Sequence, residues 1–150
     1  MNYVPITLKV ENKQLLILGG GKAALEKVQM LQRFGFTVTV IGEEIDEEIL
    51  QSGCTCHLRP FRSEDFEDVL LVYACFADRE VNRAIKEEAN ARGILVNTPD
   101  DPELCDFITP ALFIDGPMMV AVSSGGTDVR KAVAWRNRIK TYFSSHDPIS

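Results

Sequence analysis

The sequence contains no hydrophobic run long enough to cross a membrane, and its N-terminus lacks the charged-then-apolar pattern of a secretory signal. Cysteines are few, and the spacing of the four predicts no disulfide framework. Basic residues are fewer than acidic ones: the chain has 16 Lys and Arg and 22 Asp and Glu. Such an acidic balance argues against nucleic acid as a partner. Together these absences predict a cytoplasmic protein with neither a membrane nor a nucleic-acid partner.

Charge is unevenly distributed along the 150 residues. Residues 1–110 carry 11 Lys and Arg against 19 Asp and Glu, whereas residues 111–150 carry 5 against 3. With 45% hydrophobic residues, a chain of this length is an ordinary globular protein that can bury a core. An anionic ligand would have to be met locally, by the basic C-terminal segment or by backbone N–H groups.

Three consecutive glycines at 19–21 form the most informative segment. They follow the apolar run 15–18 and precede a helical pattern that includes Ala24. The pattern G-x-G-x-x-A is typical of a dinucleotide-binding turn, because it exposes backbone N–H groups at the positive end of a helix dipole, where a pyrophosphate binds. We therefore predict a cofactor site that includes Gly19 and Gly21.

Strand-like and helix-like patterns alternate through the first two thirds of the chain. Strands are predicted at 3–10, 14–18, 37–41, 54–58, 69–74 and 94–97, and helices at 22–34, 44–51 and 79–92. This alternation predicts βαβ units with right-handed crossovers. The expected fold is α/β, with a Rossmann-like parallel sheet flanked by helices.

The pattern changes after residue 98. Two short strands at 111–114 and 118–122 are followed by a helix at 128–143, so we place a domain boundary near residue 110. Residues 1–110 are expected to be an NAD-binding Rossmann domain, and 111–150 a small α+β element. Because the last helix carries apolar residues such as Trp135 that a monomer would leave exposed, we predict that this element mediates dimerisation.

Glu43 comes just after the predicted strand 37–41 and lies 22 residues after Gly21. An acid near this place in a Rossmann fold accepts hydrogen bonds from the adenosine ribose hydroxyls. No Lys or Arg occurs at 41–45 to meet a 2′-phosphate, which favours NAD over NADP. The alternative interpretation is a solvated acidic face, because Glu43 opens an acidic run that continues to Glu48.

Asp100 and Asp101 follow the predicted strand 94–97. Ligands of open α/β sheets bind outside the carboxyl ends of the strands, so an acid there can reach a substrate and exchange a proton while hydride moves to the cofactor. The alternative is a turn aspartate that caps its own backbone.

A second candidate anion site is the run from Ser123 to Thr127 before the last helix, which combines hydroxyls, glycines and a helix N-terminus. The alternative is simple helix capping by Thr127 or Ser124. The C-x-C pair Cys54 and Cys56 suggests a metal, but no second cluster completes a tetrahedral site. We favour buried, small hydrophobic side chains and predict no fixed metal.

Several motifs, taken together, resemble one family in order and spacing. They are Pro5-Ile6, Gly19-Gly20-Gly21 with Ala24 and Lys27, Val81-Asn82, Asn97 with Asp100, Phe107-Ile108-x-Pro110, and the run MVAVSSGGT from Met119 to Thr127. The set resembles the N-terminal half of siroheme synthase. That module also occurs alone as precorrin-2 dehydrogenase, with or without sirohydrochlorin ferrochelatase activity. The similarity covers about residues 1–140.

The resemblance implies NAD-dependent oxidation of precorrin-2 to sirohydrochlorin by a homodimer, in a cleft between the Rossmann domain and the dimerisation region. It places Asp100 on the catalytic aspartate, with Fe²⁺ as a possible second substrate held transiently near it. By the same resemblance, Lys22 and Ala23 fall on cofactor-loop positions, Glu43 and Glu44 on the ribose side, and Ser124 on the tetrapyrrole side. We add Gly125, Gly126 and Thr127 to the predicted substrate loop.

The chain also departs from the family pattern. Phe76 is bulky where a small residue is expected near the nicotinamide, and Asp128-Val129 replaces an expected Ser-Pro. The chain ends before the family's C-terminal helical module, which is expected to be absent. Two alternatives follow: a non-catalytic, NAD-sensing Rossmann module of the kind that regulates potassium channels, and a degenerate member that binds tetrapyrrole without turning it over.

Overall fold

The computed structural model describes residues 3–145, and these form two compact units. The first is Ile6–Phe107, and the second contains the chain from Ile108 onward together with the segment before Ile6. No helix among the described residues is long and apolar enough to span a membrane.

The first unit is built on a five-stranded parallel sheet. Its strands are β1 (Gln14–Leu18), β2 (Thr37–Gly42), β3 (Thr55–Leu58), β4 (Val69–Ala74) and β5 (Leu95–Asn97). Their spatial order is β3-β2-β1-β4-β5, so the chain builds outward from β1 first to one side and then to the other. The crevice of such a sheet lies where the order reverses, beside β1 and β4. The predicted α/β, Rossmann-like architecture is confirmed.

Three helices accompany the sheet: α1 (Lys22–Leu31), α2 (Glu47–Leu50) and α3 (Arg79–Ala91). Helix α1 passes into a 3-10 turn, Gln32–Phe34, and ends at Gly35, whose φ of 76° suits a residue without a side chain. Helix α2 is shorter than the predicted 44–51, because the side chain of Asp46 caps it by accepting a hydrogen bond from the Glu48 N–H.

Strand β1 lies at the centre of the core. Its side chains alternate between two hydrophobic clusters, with Leu15 and Ile17 facing Val28 of α1, and Leu16 and Leu18 in the cluster that contains Ile85 of α3. All of these side chains are 0–1% exposed. Burying a leucine or isoleucine stabilises a fold by about 2 kcal/mol, so the continuous apolar run explains the position of β1.

The predicted strand at 3–10 is wrong. The structure shows no strand in the described part of that segment, and Val4 and Ile6 are 77% and 68% exposed. The physical reason is that β1 already pairs with β2 on one side and with β4 on the other, which leaves no free edge beside it.

The two cysteines of the C-x-C pair pack on one side of the sheet, against the cluster of Leu15 and Ile17. They are half-buried rather than buried as predicted, because β3 is the edge strand of the sheet. Among residues 3–145, no group of three or more His, Cys, Asp or Glu side chains is placed to hold a metal ion.

The second unit contains an antiparallel hairpin, β6 (Ala111–Asp115) with β7 (Met118–Val122), and a long helix, α4 (Val129–Ser145). The helix packs on the hairpin, and Arg136 donates a hydrogen bond to the Leu112 carbonyl oxygen at 2.7 Å. Asp128 caps α4 by accepting from the Lys131 N–H at 2.8 Å, so the expectation that Thr127 or Ser124 caps this helix is wrong.

Candidate cofactor site

An open cleft of about 740 Å³ lies at the carboxyl ends of four strands of the sheet. It is lined by residues that follow β1 (Gly19, Gly20, Gly21, Lys22, Ala23), β2 (Gly42, Glu43, Glu44), β4 (Ala74, Cys75, Phe76, Ala77) and β5 (Pro99, Asp100). The structure therefore brings the predicted cofactor residues and Asp100 together around one cavity.

The glycine turn is fixed by backbone hydrogen bonds to both neighbouring strand ends. The N–H of Gly19 donates to the Ile41 carbonyl at 2.8 Å, and the N–H of Cys75 donates to the Leu18 carbonyl at 2.7 Å. Gly20 is the most confined residue, since a Cβ there would lie 2.2 Å from the carbonyl oxygen of Glu44. The motif predicted roles for Gly19 and Gly21 but none for Gly20, although the run of three glycines already pointed to a confined backbone at this position.

Gly21 and the start of α1 fit a pyrophosphate. A Cβ at Gly21 would meet nothing within 4 Å, so open space lies where a phosphate must approach the backbone. No side chain caps α1 and its first turn contains no acid, whereas Asp78 caps α3. The first N–H groups of α1 are therefore not taken by a side chain, and the helix dipole favours an anion there.

Glu43 and Glu44 are exposed and lie on the β2 side of the cleft. Neither carboxylate makes a hydrogen bond or ion pair with another described residue, so both are free to accept hydrogen bonds from hydroxyl groups. The backbone of Glu44 is held close to Gly20, and the Asp46 N–H donates to the Gly20 carbonyl at 2.8 Å. This side of the cleft can take a ribose.

Asp100 is exposed at the β5 side of the cleft and has a left-handed backbone, with φ of 62°. Aspartate is among the few residues that adopt this conformation readily. Its carboxylate makes no hydrogen bond or ion pair with a described residue, so it does not cap its own turn.

The neighbouring Asp101 is engaged instead. Arg79 donates to it at 2.6 Å, and this hydrogen bond holds the pKa of the Asp101 carboxyl below its usual range. Arg79 also bonds Glu103 at 2.6 Å. Of the two adjacent acids, Asp100 alone faces the cavity without a partner among the described residues.

Two residues that sequence analysis did not assign hold the turn that carries Asp100. The thiol of Cys105 lies 3.2 Å from the Thr98 carbonyl oxygen and 3.4 Å from that of Asp101. Asn97 donates to the Phe107 carbonyl at 2.9 Å. Asn97 had a signal in the family motif, whereas Cys105 had none.

Phe76 is half-buried and lines the cleft on the β4 side. Its ring packs against Phe61, with the ring centroids 6.1 Å apart. The Phe76 ring, which is larger than the residue that the family pattern leads us to expect, is therefore partly buried in the core under the loop.

Burial raises the pKa of the Cys75 thiol to about 12, with Lys27 nearby opposing the shift. At pH 8 such a thiol is ionised in about one molecule in ten thousand, and only the thiolate reacts. We expect iodoacetamide to label Cys75 orders of magnitude more slowly in the folded protein than in denaturant, measured by peptide mass spectrometry. Equal labelling rates in both states would contradict this.

The predicted substrate loop lies in the second unit. Within it, the Ser124 hydroxyl accepts from the Asp128 N–H at 2.8 Å, and Thr127 donates to the Ser124 carbonyl at 2.7 Å. Gly125 and Gly126 have φ of 64° and 79°, which suit glycine. The four residues form one compact, hydrogen-bonded turn.

Known proteins similar to this chain agree with the motif-based resemblance. The siroheme synthase of Methylobacillus flagellatus is 41% identical over 145 residues, covering 94% of this chain and 31% of that protein. The siroheme synthase of Nitrosomonas europaea is 37% identical over 150 residues, covering 97% and 32%. The chain spans about a third of the length of these relatives. The predicted similarity to siroheme synthase is confirmed.

Among solved structures, SirC, a precorrin-2 dehydrogenase, has the same fold, with a TM-score of 0.72 at 23% identity. The match covers 97% of this chain and 72% of SirC. A family model described as "Putative NAD(P)-binding" matches residues 6–111, which contain the glycine turn, the acids that follow β2, and Asp100. Because this model matches more than half of the chain, the chain belongs to the NAD(P)-binding family that it describes.

Proposed function

We propose that this protein oxidises precorrin-2 to sirohydrochlorin with NAD⁺ as the hydride acceptor. The observation that carries the proposal is an exposed carboxylate without a protein partner, Asp100, on the same cleft as a glycine turn that fits a pyrophosphate. The similarity to siroheme synthases, and to a protein named as a precorrin-2 dehydrogenase, supports the choice of substrate.

The reaction converts precorrin-2 and NAD⁺ to sirohydrochlorin, NADH and a proton. Bound NAD⁺ supplies the acceptor for the hydride. Asp100 takes the proton that leaves the macrocycle, because its carboxylate has no competing cation among the described residues. Asp101 is unsuited to this role, since Arg79 holds it as a paired carboxylate.

The N–H groups at the start of α1, with Lys22 and Ala23, would hold the pyrophosphate. Glu43 and Glu44 would accept hydrogen bonds from the adenosine ribose. A carboxylate repels a 2′-phosphate, so we assign NAD rather than NADP as the cofactor. The proposal also places the reaction in the cytoplasm.

Precorrin-2 carries eight carboxylates and needs cations and amides to bind it. The loop Ser124, Gly125, Gly126 and Thr127 precedes exposed Arg130 and Lys131 on α4, which supports a role for the second unit in substrate binding. Fe²⁺ would be a second substrate, inserted into the product near Asp100; formation of sirohaem when Fe²⁺ is added to the completed oxidation tests this.

Homodimerisation through the second unit is part of the proposal. Five large apolar side chains of this unit are 47–69% exposed: Met118, Val129, Trp135, Tyr142 and Phe143. We expect Trp135→Asp to weaken self-association, giving a monomer by light scattering at micromolar concentration. Leu58→Asp, on an edge strand of the first unit and 63% exposed, is the control and should stay dimeric. A monomeric wild type would refute the dimer.

An anaerobic assay with precorrin-2 and NAD⁺, followed by NADH absorbance and by the spectrum of sirohydrochlorin, tests the function. Turnover supports the proposal. Binding of NAD⁺ without turnover would favour the alternatives, a nucleotide-sensing module or a tetrapyrrole binder, and would refute the dehydrogenase.

A further inference from the structure

Asn82 holds the backbone of Phe76 at two points. Its side-chain N–H donates to the Phe76 carbonyl oxygen at 2.8 Å, and its side-chain oxygen accepts from the Phe76 N–H at 3.1 Å. Asn82 lies in the first turns of α3 and is 4% exposed. A buried amide whose donor and acceptor both serve one residue fixes that residue's peptide groups in place.

The segment held in this way is a wall of the cleft. Ala74, Cys75, Phe76 and Ala77 all line the cavity. The carbonyl of Cys75 also lies so close to Gly19 that a Cβ at Gly19 would be 2.8 Å from its oxygen. The wall therefore contacts the glycine turn at Cys75 and is hydrogen-bonded to the Asn82 amide at Phe76.

The order of the strands assigns this wall to one half of the cofactor. If the acids after β2 take the adenosine ribose and the glycine turn after β1 takes the pyrophosphate, the rest of the dinucleotide extends toward β4 and β5. Those strands contribute Phe76 and Asp100. We propose that Asn82 is a positioning residue that fixes the wall against which the nicotinamide half of NAD lies. This inference rests on the proposed NAD site.

Asn82 acts by preorganisation, because both polar groups of the Phe76 backbone are already paired before a ligand arrives. If the wall is in its binding geometry only a tenth of the time once the amide is removed, the dissociation constant for NAD⁺ rises about tenfold. A ligand that ends at the pyrophosphate does not touch the wall, and its affinity stays the same.

Calorimetry with NAD⁺ and with ADP distinguishes an effect of Asn82 on the nicotinamide half of the site from an effect on the whole cofactor site. We expect Asn82→Ala to bind NAD⁺ about tenfold more weakly and ADP as the wild type does. The matched control is Asn90→Ala at the opposite end of α3, where the amide bonds the Ile94 carbonyl and Asp106. It also removes two side-chain hydrogen bonds from α3, but away from the cleft, so it should change neither affinity.

Asn82→Leu serves if the alanine variant does not fold, because it keeps the approximate size and shape of the side chain but can neither donate to nor accept from the Phe76 backbone. It should show the same selective loss. Unchanged NAD⁺ affinity in a folded variant, or an equal loss for NAD⁺ and ADP, would overturn the positioning role. A wild type that binds neither ligand would instead overturn the proposed cofactor site, and this inference with it.

Discussion

Replacing Asp100 with asparagine is expected to lower kcat for precorrin-2 oxidation by about 10²- to 10⁴-fold, the usual contribution of a positioned acid or base. Asparagine keeps the shape of the side chain and also tolerates the left-handed backbone at this position, where φ is 62°. The change therefore removes the proton acceptor and little else, and the affinity for NAD⁺ should be unchanged. Anaerobic single-turnover kinetics measure the chemical step directly.

Asp101→Asn is the matched control for this experiment. It makes the same change in an identical side chain one residue away. That side chain is paired with Arg79 and does not face the cavity, so the change weakens only the ion pair. The pair is partly exposed on the arginine side, so the variant should melt at nearly the same temperature as the wild type. If both variants lost kcat equally, the assignment of proton transfer to Asp100 would fail.

Gly20→Ala should lower the stability of the protein, whereas Gly21→Ala should lower its affinity for NAD⁺. At Gly20 the new Cβ would lie 2.2 Å from the Glu44 carbonyl oxygen and 2.6 Å from the Ile45 Cα, and backbone atoms cannot rotate away. We expect a loss of about 3 kcal/mol in the free energy of unfolding, the upper part of the usual range for overpacking. Urea denaturation measures it.

At Gly21 the Cβ has open space around it, and the φ of −87° is acceptable for any residue. Gly21→Ala should therefore change stability by less than about 0.5 kcal/mol. The methyl group would occupy space that a pyrophosphate needs, so NAD⁺ should bind at least about tenfold more weakly, equivalent to about 1.4 kcal/mol. If Gly21→Ala bound NAD⁺ normally, the phosphate would have to lie elsewhere.

The parts of the fold that sequence alone predicted are those with strong local patterns. The runs 15–18 and 69–74 are continuously apolar because β1 and β4 are covered on both faces, and the glycine turn follows the first of them directly. The lead-in segment at 3–10 also alternates, but an alternating pattern does not show whether a sheet edge is free. That depends on β2 and β4, which come later in the chain.

The finer features of the site depend on partners that carry no local signature. Asp100 and Asp101 are the same residue type side by side, and Arg79, 22 residues earlier, separates their roles. Asn82 acts on the backbone of Phe76, and a backbone group looks the same in every sequence. The roles of these residues become visible only in the three-dimensional structure, although the family motif already included Asn82 and Asp100.

The strand order gives the two ends of the cleft unequal resistance to local opening. The glycine turn is attached to β1, which is hydrogen-bonded on both sides and would exchange its amide protons last. The Asp100 turn follows β5, a three-residue strand at the edge of the sheet with a neighbour on one side. A phosphate bound at the glycine turn would therefore lie on the side of the cleft that opens more slowly, and a substrate bound at Asp100 would lie on the side next to an edge strand, which opens more readily.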